Sequence, residues 1–545
     1  MKLSRELLEN LDHLKNIGYR TPRFDAAAVA RRTLDAPDWL HFGAGNIFRA
    51  FLAGVLQESL DEGKSDRGVV AVEGYDYELV DAIFRAHGNL SLTAILNDDG
   101  SVTKTLTASI CDALKADPGG APEDWARLVE MFKSPGLRVV SFTITEKGYS
   151  LTDAGGGYMD AVAADFENGP EKPVSYMGKV ASLLCSRWRG GAKPVAMASM
   201  DNCSSNGEKL EAAIRTFAEK WSEGGKVHPG FLEYIGDRSR VSFPWSMIDK
   251  ITPSPAEKVR SMFEADGFTG METVVTQKHT RAAAFVNAEK PQYLVLEDWF
   301  PAGRVLPEGG GVYYTDRERV SRTETMKVTA CLNPLHTALA VMGCLLGYEL
   351  ISEEMADDDL RDMTRRLGRA ENMPAAEAGV IDPEDFLEEV LTKRFPNPFM
   401  PDTPQRIASD TSQKMPIRFG ETLKTYMRKG LDMERLEMIP LVQAAWLRYL
   451  LGIDDGGGPM EISPDPRAHD LRAALAGVVF GRPGDYHDIL RPILSDEKLF
   501  GVNLYDTPLG LKVEELLNCM LAGPGAVRKT LRETVRRGAV IPAGS

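Results

Sequence analysis

Through its first two hundred residues the chain alternates short apolar runs with stretches of helical spacing. Trp39-Leu-His-Phe42 reads as a short strand, and Ile47 to Leu60 continues as an amphipathic helix. Gly68–Glu73, Leu137–Thr145 and Pro194–Ser199 are further apolar runs, with a helical pattern near Met177–Arg189 before the last. Ser91–Leu96 and Val102–Ser109 alternate apolar and polar positions, as a β-ribbon does. Strands separated by helices predict a mostly parallel, doubly wound sheet with helices on both faces.

The stretch 268–318 is richer in β-branched and aromatic residues, at Glu272–Thr276, Gln292–Glu297 and Gly311–Thr315. It reads as extra strands closing a first domain, 1–318. Beyond that the texture changes. Leu335–Leu350, Ala356–Arg369, Pro383–Lys393, Ser409–Lys429 (interrupted by Pro416), Pro440–Leu451, Asp470–Val478 and Lys512–Leu521 show helical spacing, while strand signals nearly vanish. The expected fold class is therefore α/β plus all-α: a Rossmann-type dinucleotide-binding domain at 1–318, then a mostly helical substrate-binding domain at 319–545. Ile453–Pro459, rich in Gly and Asp, reads as an exposed loop.

Composition removes several classes of function. A net charge of -15 disfavours a nucleic-acid or anionic-membrane partner, which needs a basic surface. The six cysteines are scattered with no C-x-x-C pair, so neither a disulfide framework nor a structural zinc site is expected. The N-terminal MKLSRELLENLDHLKN is charged and has no apolar core of a signal peptide. The most apolar stretch, Leu335–Ile351, holds His336, Thr337, Tyr348 and Glu349 and reads as a buried helix. A cytoplasmic enzyme is the expectation, with its oligomeric state left open between monomer and dimer.

Gly43-Ala44-Gly45 lies directly between the strand Trp39–Phe42 and the helix starting near Asn46-Ile47. That is where a dinucleotide fold needs glycine. The first permits the tight turn, and the second lets the backbone approach a pyrophosphate held at the helix N-terminus. The third glycine of G-x-G-x-x-G is replaced by Phe48. Glu73 ends the second apolar run, where an acid can accept from the adenosine ribose hydroxyls and repel a 2'-phosphate; Asp76 is an alternative for that role. Both favour NAD over NADP.

No Tyr-x-x-x-Lys pair follows a suitable strand, no His/Cys/Glu cluster offers a catalytic zinc, and no G-x-x-x-x-G-K-[ST] loop is present. What stands out is Glu324-Thr-Met-Lys327-Val-Thr-Ala-Cys-Leu-Asn333-Pro-Leu-His336, at the junction of the two predicted domains. With it come His41–Arg49, Thr143-Ile-Thr-Glu-Lys-Gly-Tyr149, Ser199-Met-Asp-Asn202-Cys-Ser-Ser-Asn206-Gly207, Phe243–Asp249 and Gln405–Asp410. Together, in this order along most of the chain, these segments resemble the polyol-specific long-chain dehydrogenase family.

The resemblance implies a zinc-independent, nicotinamide-dependent interconversion of a secondary alcohol and a ketone on an open-chain sugar derivative. It implies Lys327 as the general base, Asn333 and Asn202 as amides holding the reacting oxygen, and His336 as the residue positioning substrate and lysine. Glu324 would lie on the proton path to solvent. Lys414 and Arg406 would contact substrate, and Thr145 and Glu146 would join Gly43, Ala44, Gly45, Asn46, Ile47 and Glu73 in binding the cofactor, with no metal. The likeness around Cys331–His336 points to D-mannonate and D-fructuronate as the substrate pair. A mannitol-type polyol, or tagaturonate, is the alternative within the family, and a catalytically silent NADH sensor the alternative outside it. A uronate needs a cation for its carboxylate, and Arg49, Arg394, Arg406 and Arg418 are all candidates.

The chemistry is coherent without a metal. A lysine serves as base only if its pKa falls well below the usual value of about 10.4, and burial pushes it down. Two amides would stabilise the developing alkoxide. Asn333-Pro334 suits a helix start, with asparagine as cap and proline in the first turn. Lys327 stands nine residues before His336, which on a straight helix at roughly 100° per residue puts the two on opposite faces. The segment must therefore bend, and Pro334 offers a cause. Lys327 and Asn333 are also separated by one residue more than is usual in the family.

Overall fold

The computed structural model describes Met1–Arg537 and divides into two compact units, Met1–Ser321 and a second from Arg322 onward. The strands of the first unit are β1 (Trp39–Phe42), β2 (Val69–Glu73), β3 (Ser91–Leu96), β4 (Val102–Thr107), β5 (Ile110–Lys115), β6 (Val139–Phe142) and β7 (Val195–Ser199). They continue with β8 (Val241–Ser242), β9 (Ser246–Asp249), β10 (Val274–Val275), β11 (Arg281–Ala282), β12 (Phe285–Glu289), β13 (Tyr293–Glu297) and β14 (Val312–Thr315).

Six of these form one parallel sheet in the order β5-β2-β1-β6-β7-β8. The strand order reverses beside β1, and in such sheets ligands bind in the crevice at the carboxyl ends next to that reversal. Every residue of β1, β2, β6 and β7 is buried. Alternate side chains enter two different cores: Leu40, Phe42, Val70, Val72 and Phe142 one, Trp39, Val69, Ala71, Val139 and Ala196 the other. Both faces are therefore covered, which explains why these strands read as continuous apolar runs instead of alternating ones.

The sheet's outer strand β5 is not marked as a strand by the apolar pattern, because Asp112 and Lys115 interrupt it. The β-rich stretch expected at 268–318 does form strands, but they stay outside the main sheet. They build the small sheets β12-β3-β4 and β14-β13-β9 and the pair β10-β11. The β3–β4 ribbon is antiparallel, as its alternation implied.

Among its described residues the second unit is built of helices joined by loops, with no strand. Its central helix, Asn333–Leu346, has eleven buried residues, including Leu335, Leu339 and Val341 at 0% exposure. The run Arg317–Leu346 is long and apolar enough to span a membrane by composition, yet 78% of its most apolar window is buried inside the fold. The helix expected over Ala356–Arg369 is broken at Asp357, whose carboxylate caps the new helix Asp358–Arg366 by accepting the Leu360 amide at 3.0 Å. The helices His487–Leu494 and Ala526–Arg537 lay outside the expected set.

Wide π turns recur in this unit, at Lys327–Cys331, Leu367–Asn372, Val390–Arg394 and Pro416–Gly420. The first packs against the second and the fourth. Each π turn inserts one residue into a helix, and such turns are frequent at functional sites.

Glu371, on one of these turns, is 3% exposed and accepts the amides of Glu437, Met438 and Ile439 at 2.7, 2.6 and 2.8 Å. It thus satisfies the start of the helix Met438–Tyr449, which has no side-chain cap of its own. Glu371→Ala would leave three amides without their acceptor, for an expected loss of about 3 kcal/mol or more. At this size that is roughly 6–12 °C in Tm by scanning calorimetry. An unchanged Tm would show that water replaces the carboxylate at no cost.

Candidate active site

The glycine turn follows directly from β1. Gly43 has φ +100°, and a Cβ there would lie 2.1 Å from the Thr143 carbonyl oxygen at the end of β6. Only glycine fits that crossing. Its amide donates to Val72 O at 3.0 Å, and the Thr143 amide donates to Phe42 O at 2.9 Å, so the turn is tied to both neighbouring strands. Gly45 is exposed, and a Cβ on it would meet nothing within 4 Å. The open space stands over the start of the helix, where Arg49 N donates to Gly45 O at 3.2 Å. The arrangement fits a pyrophosphate laid against backbone amides.

Phe48, in place of the third glycine, is fully buried and stacks on His41 at 4.2 Å with an 8° tilt. His41 Nδ1 and Nε2 lie 2.7 and 2.9 Å from the Ser141 and Thr143 hydroxyls, which joins β1 to β6 beneath the turn. Burial lowers the His41 pKa to about 3, so the ring is neutral. Asn46 accepts from Arg49 at 2.9 Å and Ile47 packs on the core beneath the helix.

Glu73 is 6% exposed, and its carboxylate accepts the amides of Ala44 at 3.2 Å, Tyr75 at 2.9 Å and Asp76 at 3.1 Å. It braces the glycine turn against the end of β2; burial raises its pKa against these three bonds. Asp76 accepts the Thr276 hydroxyl at 2.6 Å.

The loop after β6 is held by a residue that the sequence patterns did not single out. Asp201 accepts the amides of Ile144 and Thr145, each at 2.8 Å, and the Tyr149 hydroxyl at 2.5 Å. This holds Thr145 at φ +62°, exposed at the strand end. The only signal available was the position of Asp201 directly after a buried strand. Glu146 is exposed and pairs with Lys209 at 2.6 Å, while Asn202 is exposed on the loop after β7. The neighbouring Asn206 is fully buried and structural, with its amide bonded to Asp201 O and Ser246.

In the second unit Lys327 opens the π turn and is 2% exposed; Glu324, one turn earlier, is half-buried. Two expectations for this segment are corrected. Asn333 is not the cap: Leu332 holds that place with φ -123° and ψ -63°, and its carbonyl accepts the His336 amide at 3.0 Å. The Asn333 side-chain amide therefore makes no capping bond. Nor is Pro334 the cause of the irregularity, since it sits in the first turn of the helix and the π turn precedes it. The Leu332 amide reaches back to Lys327 O at 3.2 Å, the wide-turn bond that takes up one extra residue. In helical phase, nine residues then count as eight, which turns His336 from the opposite face to roughly 80° from Lys327.

His336 packs against Phe395, with ring centroids 5.1 Å apart. Burial, assisted by Arg418, Arg406, Arg394 and Lys414, lowers its pKa to about 3, so it is a neutral imidazole. Its Nε2 lies 3.5 Å from Asp402 but makes no hydrogen bond to it or to any other described residue. Asp402 is instead ion-paired with Arg406, which is 63% exposed. Lys414 donates to the carbonyls of Ile407, at 2.9 Å, and Ser409. Burial and then Arg418 lower its pKa to about 8. Arg418 donates through one nitrogen to Asn333 O at 3.1 Å and to the Thr337 hydroxyl at 2.5 Å. Among the described residues, no group of three or more His, Cys, Asp or Glu side chains is placed to hold a metal ion.

Residues 37–307 match the mannitol dehydrogenase Rossmann domain and residues 319–506 the mannitol dehydrogenase C-terminal domain. The chain is 49% identical to D-mannonate oxidoreductase of Thermotoga maritima over 98% of its own length and 99% of that protein. It is 29% identical to mannitol 2-dehydrogenase of Cereibacter sphaeroides over 81% of its length and 85% of the relative. Among solved structures, D-sorbitol dehydrogenase in substrate-free form superposes with a TM-score of 0.78 at 26% identity, covering 98% of this chain and 100% of that one. Pseudomonas fluorescens mannitol 2-dehydrogenase, in a ternary complex with NAD and D-mannitol, gives 0.70 at 26% identity with the same coverage.

Proposed function

We propose that this chain, which belongs to the mannitol dehydrogenase family, interconverts D-mannonate and D-fructuronate with NAD as its preferred cofactor. The observation that carries this reading is its near-half identity, along almost the whole chain, with a D-mannonate oxidoreductase. The glycine turn at the strand-order reversal supports dinucleotide binding by the first unit. Glu73 and Asp76, buried acids at the end of β2, support NAD, because a 2'-phosphate there would meet negative charge.

Bound nicotinamide supplies the hydride acceptor. The proton chemistry belongs to the chain. Lys327, almost wholly withdrawn from water, takes the proton from the substrate hydroxyl. The side-chain amide of Asn333, left without a capping bond, donates to the reacting oxygen, and Asn202 is the second amide. His336, neutral and with Nε2 uncommitted, orients the substrate. Glu324 passes the proton on to solvent. In the reducing direction the same groups act in reverse order.

Initial rates on D-mannonate, D-mannitol, D-sorbitol and D-altronate, each with NAD+ and NADP+, test the reading. D-mannonate with NAD+ is expected to lead in kcat/KM by about a hundredfold, the scale on which one charged contact discriminates. A lead for D-mannitol would return the chain to the polyol dehydrogenases. NADH binding without turnover on any of the four would make it a sensor.

A further inference from the structure

We propose that Arg418 binds the carboxylate of the substrate and so selects sugar acids over neutral polyols. This rests on the D-mannonate reading, and it names the residue that makes the choice.

The other arginines suggested by the sequence are engaged elsewhere. Arg49 is 1% exposed, in the first unit, and donates to the Ala283 carbonyl at 2.7 Å and to Asn46 at 2.9 Å. Arg406 is paired with Asp402 and mostly in water. Arg394 is 4% exposed, with its guanidinium over the Phe386 ring at 5.8 Å. Arg418 differs from Arg49 in lying in the same unit as Lys327 and His336, and from Arg406 in being largely shielded from water. It is largely withdrawn from water, yet among the described residues it forms no ion pair. A guanidinium held out of water without a counter-charge is costly, and an anionic ligand removes that cost.

The donor geometry fits. A guanidinium has five N–H groups in a fixed plane. The two bonds that Arg418 makes, to Asn333 O and Thr337 Oγ1, both start from the same terminal nitrogen. The edge formed by Nε and the other terminal nitrogen is uncommitted, and neither atom is occluded without a partner. That edge is the fork that meets a carboxylate with two parallel bonds. The tethered nitrogen is fastened to the first turn of the helix Asn333–Leu346, which also carries the Asn333 amide and the unpartnered His336 Nε2. The π turn Pro416–Gly420 that carries Arg418 packs against the π turn that carries Lys327. The carboxylate fork and the proton acceptor are thus set on adjoining turns, as an open-chain substrate with an acid at one end and a reacting hydroxyl towards the other requires.

Arg418→Met keeps the bulk and removes the charge. Its kcat/KM on D-mannonate relative to D-mannitol is expected to fall about a hundredfold, chiefly through KM, with Arg418→Lys in between because an ammonium offers no fork. Thr337→Val loosens the tether but keeps the charge, and is expected to lower kcat/KM on D-mannonate by less than Arg418→Met does, with D-mannitol little changed. Equal losses on both substrates in Arg418→Met would reduce Arg418 to a brace for Asn333 and overturn the proposal. So would an unchanged KM for D-mannonate. Calorimetric binding of D-mannonate to the NADH-loaded enzyme separates this inference from the activity it rests on. If wild type binds D-mannonate in an Arg418-dependent way but does not turn it over, the reaction assignment fails and the carboxylate assignment stands. If Arg418→Met turns over D-mannonate normally, the carboxylate assignment alone fails.

Discussion

Replacing Lys327 by alanine is expected to lower kcat on D-mannonate by about 10²- to 10⁴-fold, the usual worth of a positioned general base. The dissociation constant for NADH should stay within about twofold, since binding of the dinucleotide does not draw on the base. At 2% exposure the Lys327 side chain is withdrawn from water, on a wide turn that changes its phase relative to His336. Lys327→Arg should fail as well, because a guanidinium does not give up its proton at working pH. A small primary amine added to Lys327→Ala should restore part of the rate, and that restoration should rise with pH as the free amine forms. Unchanged kcat in Lys327→Ala would end the base assignment. Joint loss of turnover, NADH binding and Tm would point to a folding defect.

Gly43→Ala is expected to damage both the fold and cofactor binding. The residue has φ +100°, and its new Cβ would meet the Thr143 carbonyl oxygen at 2.1 Å and the carbonyl carbon at 2.7 Å. Both obstacles are backbone at the end of a central strand, so no side-chain rotation relieves them. Left-handed strain and displacement of β6 together should cost about 3 kcal/mol or more. NADH affinity should fall with it, because the turn is what aims the helix N-terminus. Gly45→Ala separates the two effects. A Cβ at position 45 meets no protein atom within 4 Å, so Tm should hold while NADH binds more weakly, through loss of close backbone approach. Gly45→Ala with wild-type NADH affinity would move the pyrophosphate away from this turn. Fluorescence titration with NADH and calorimetric Tm measure both variants.

The candidate site was legible in the sequence where a position tolerates few residues. Gly43 announced itself because no other residue tolerates its crossing with β6. The run from Lys327 to His336 announced itself because a lysine, an amide and an imidazole recur there beside a helix start. It also announced a conflict, since nine residues of regular helix set the lysine against the histidine. The remedy was assigned to Pro334, because proline is the visible disturber of helices in a sequence. The π turn leaves no such mark: it packs against the turns at Leu367–Asn372 and Pro416–Gly420, and no single residue type announces it. Asp201 escaped notice for a similar reason. An aspartate after a strand is ordinary until the loop it braces is seen beside it.

By itself the sequence determined the class of fold and its family. Residues buried on both faces of a parallel sheet must be apolar throughout, and helices with one buried face must repeat their apolar positions, so both patterns are written along the chain. The tertiary structure alone decided which polar groups are already committed. Four arginines are equivalent in a sequence, but Arg49 meets two oxygen acceptors, Arg406 a carboxylate and Arg394 an aromatic ring, while Arg418 keeps an open edge. Hydrogen bonding and counter-charge are settled by neighbours distant in sequence, so no local pattern of residues carries them.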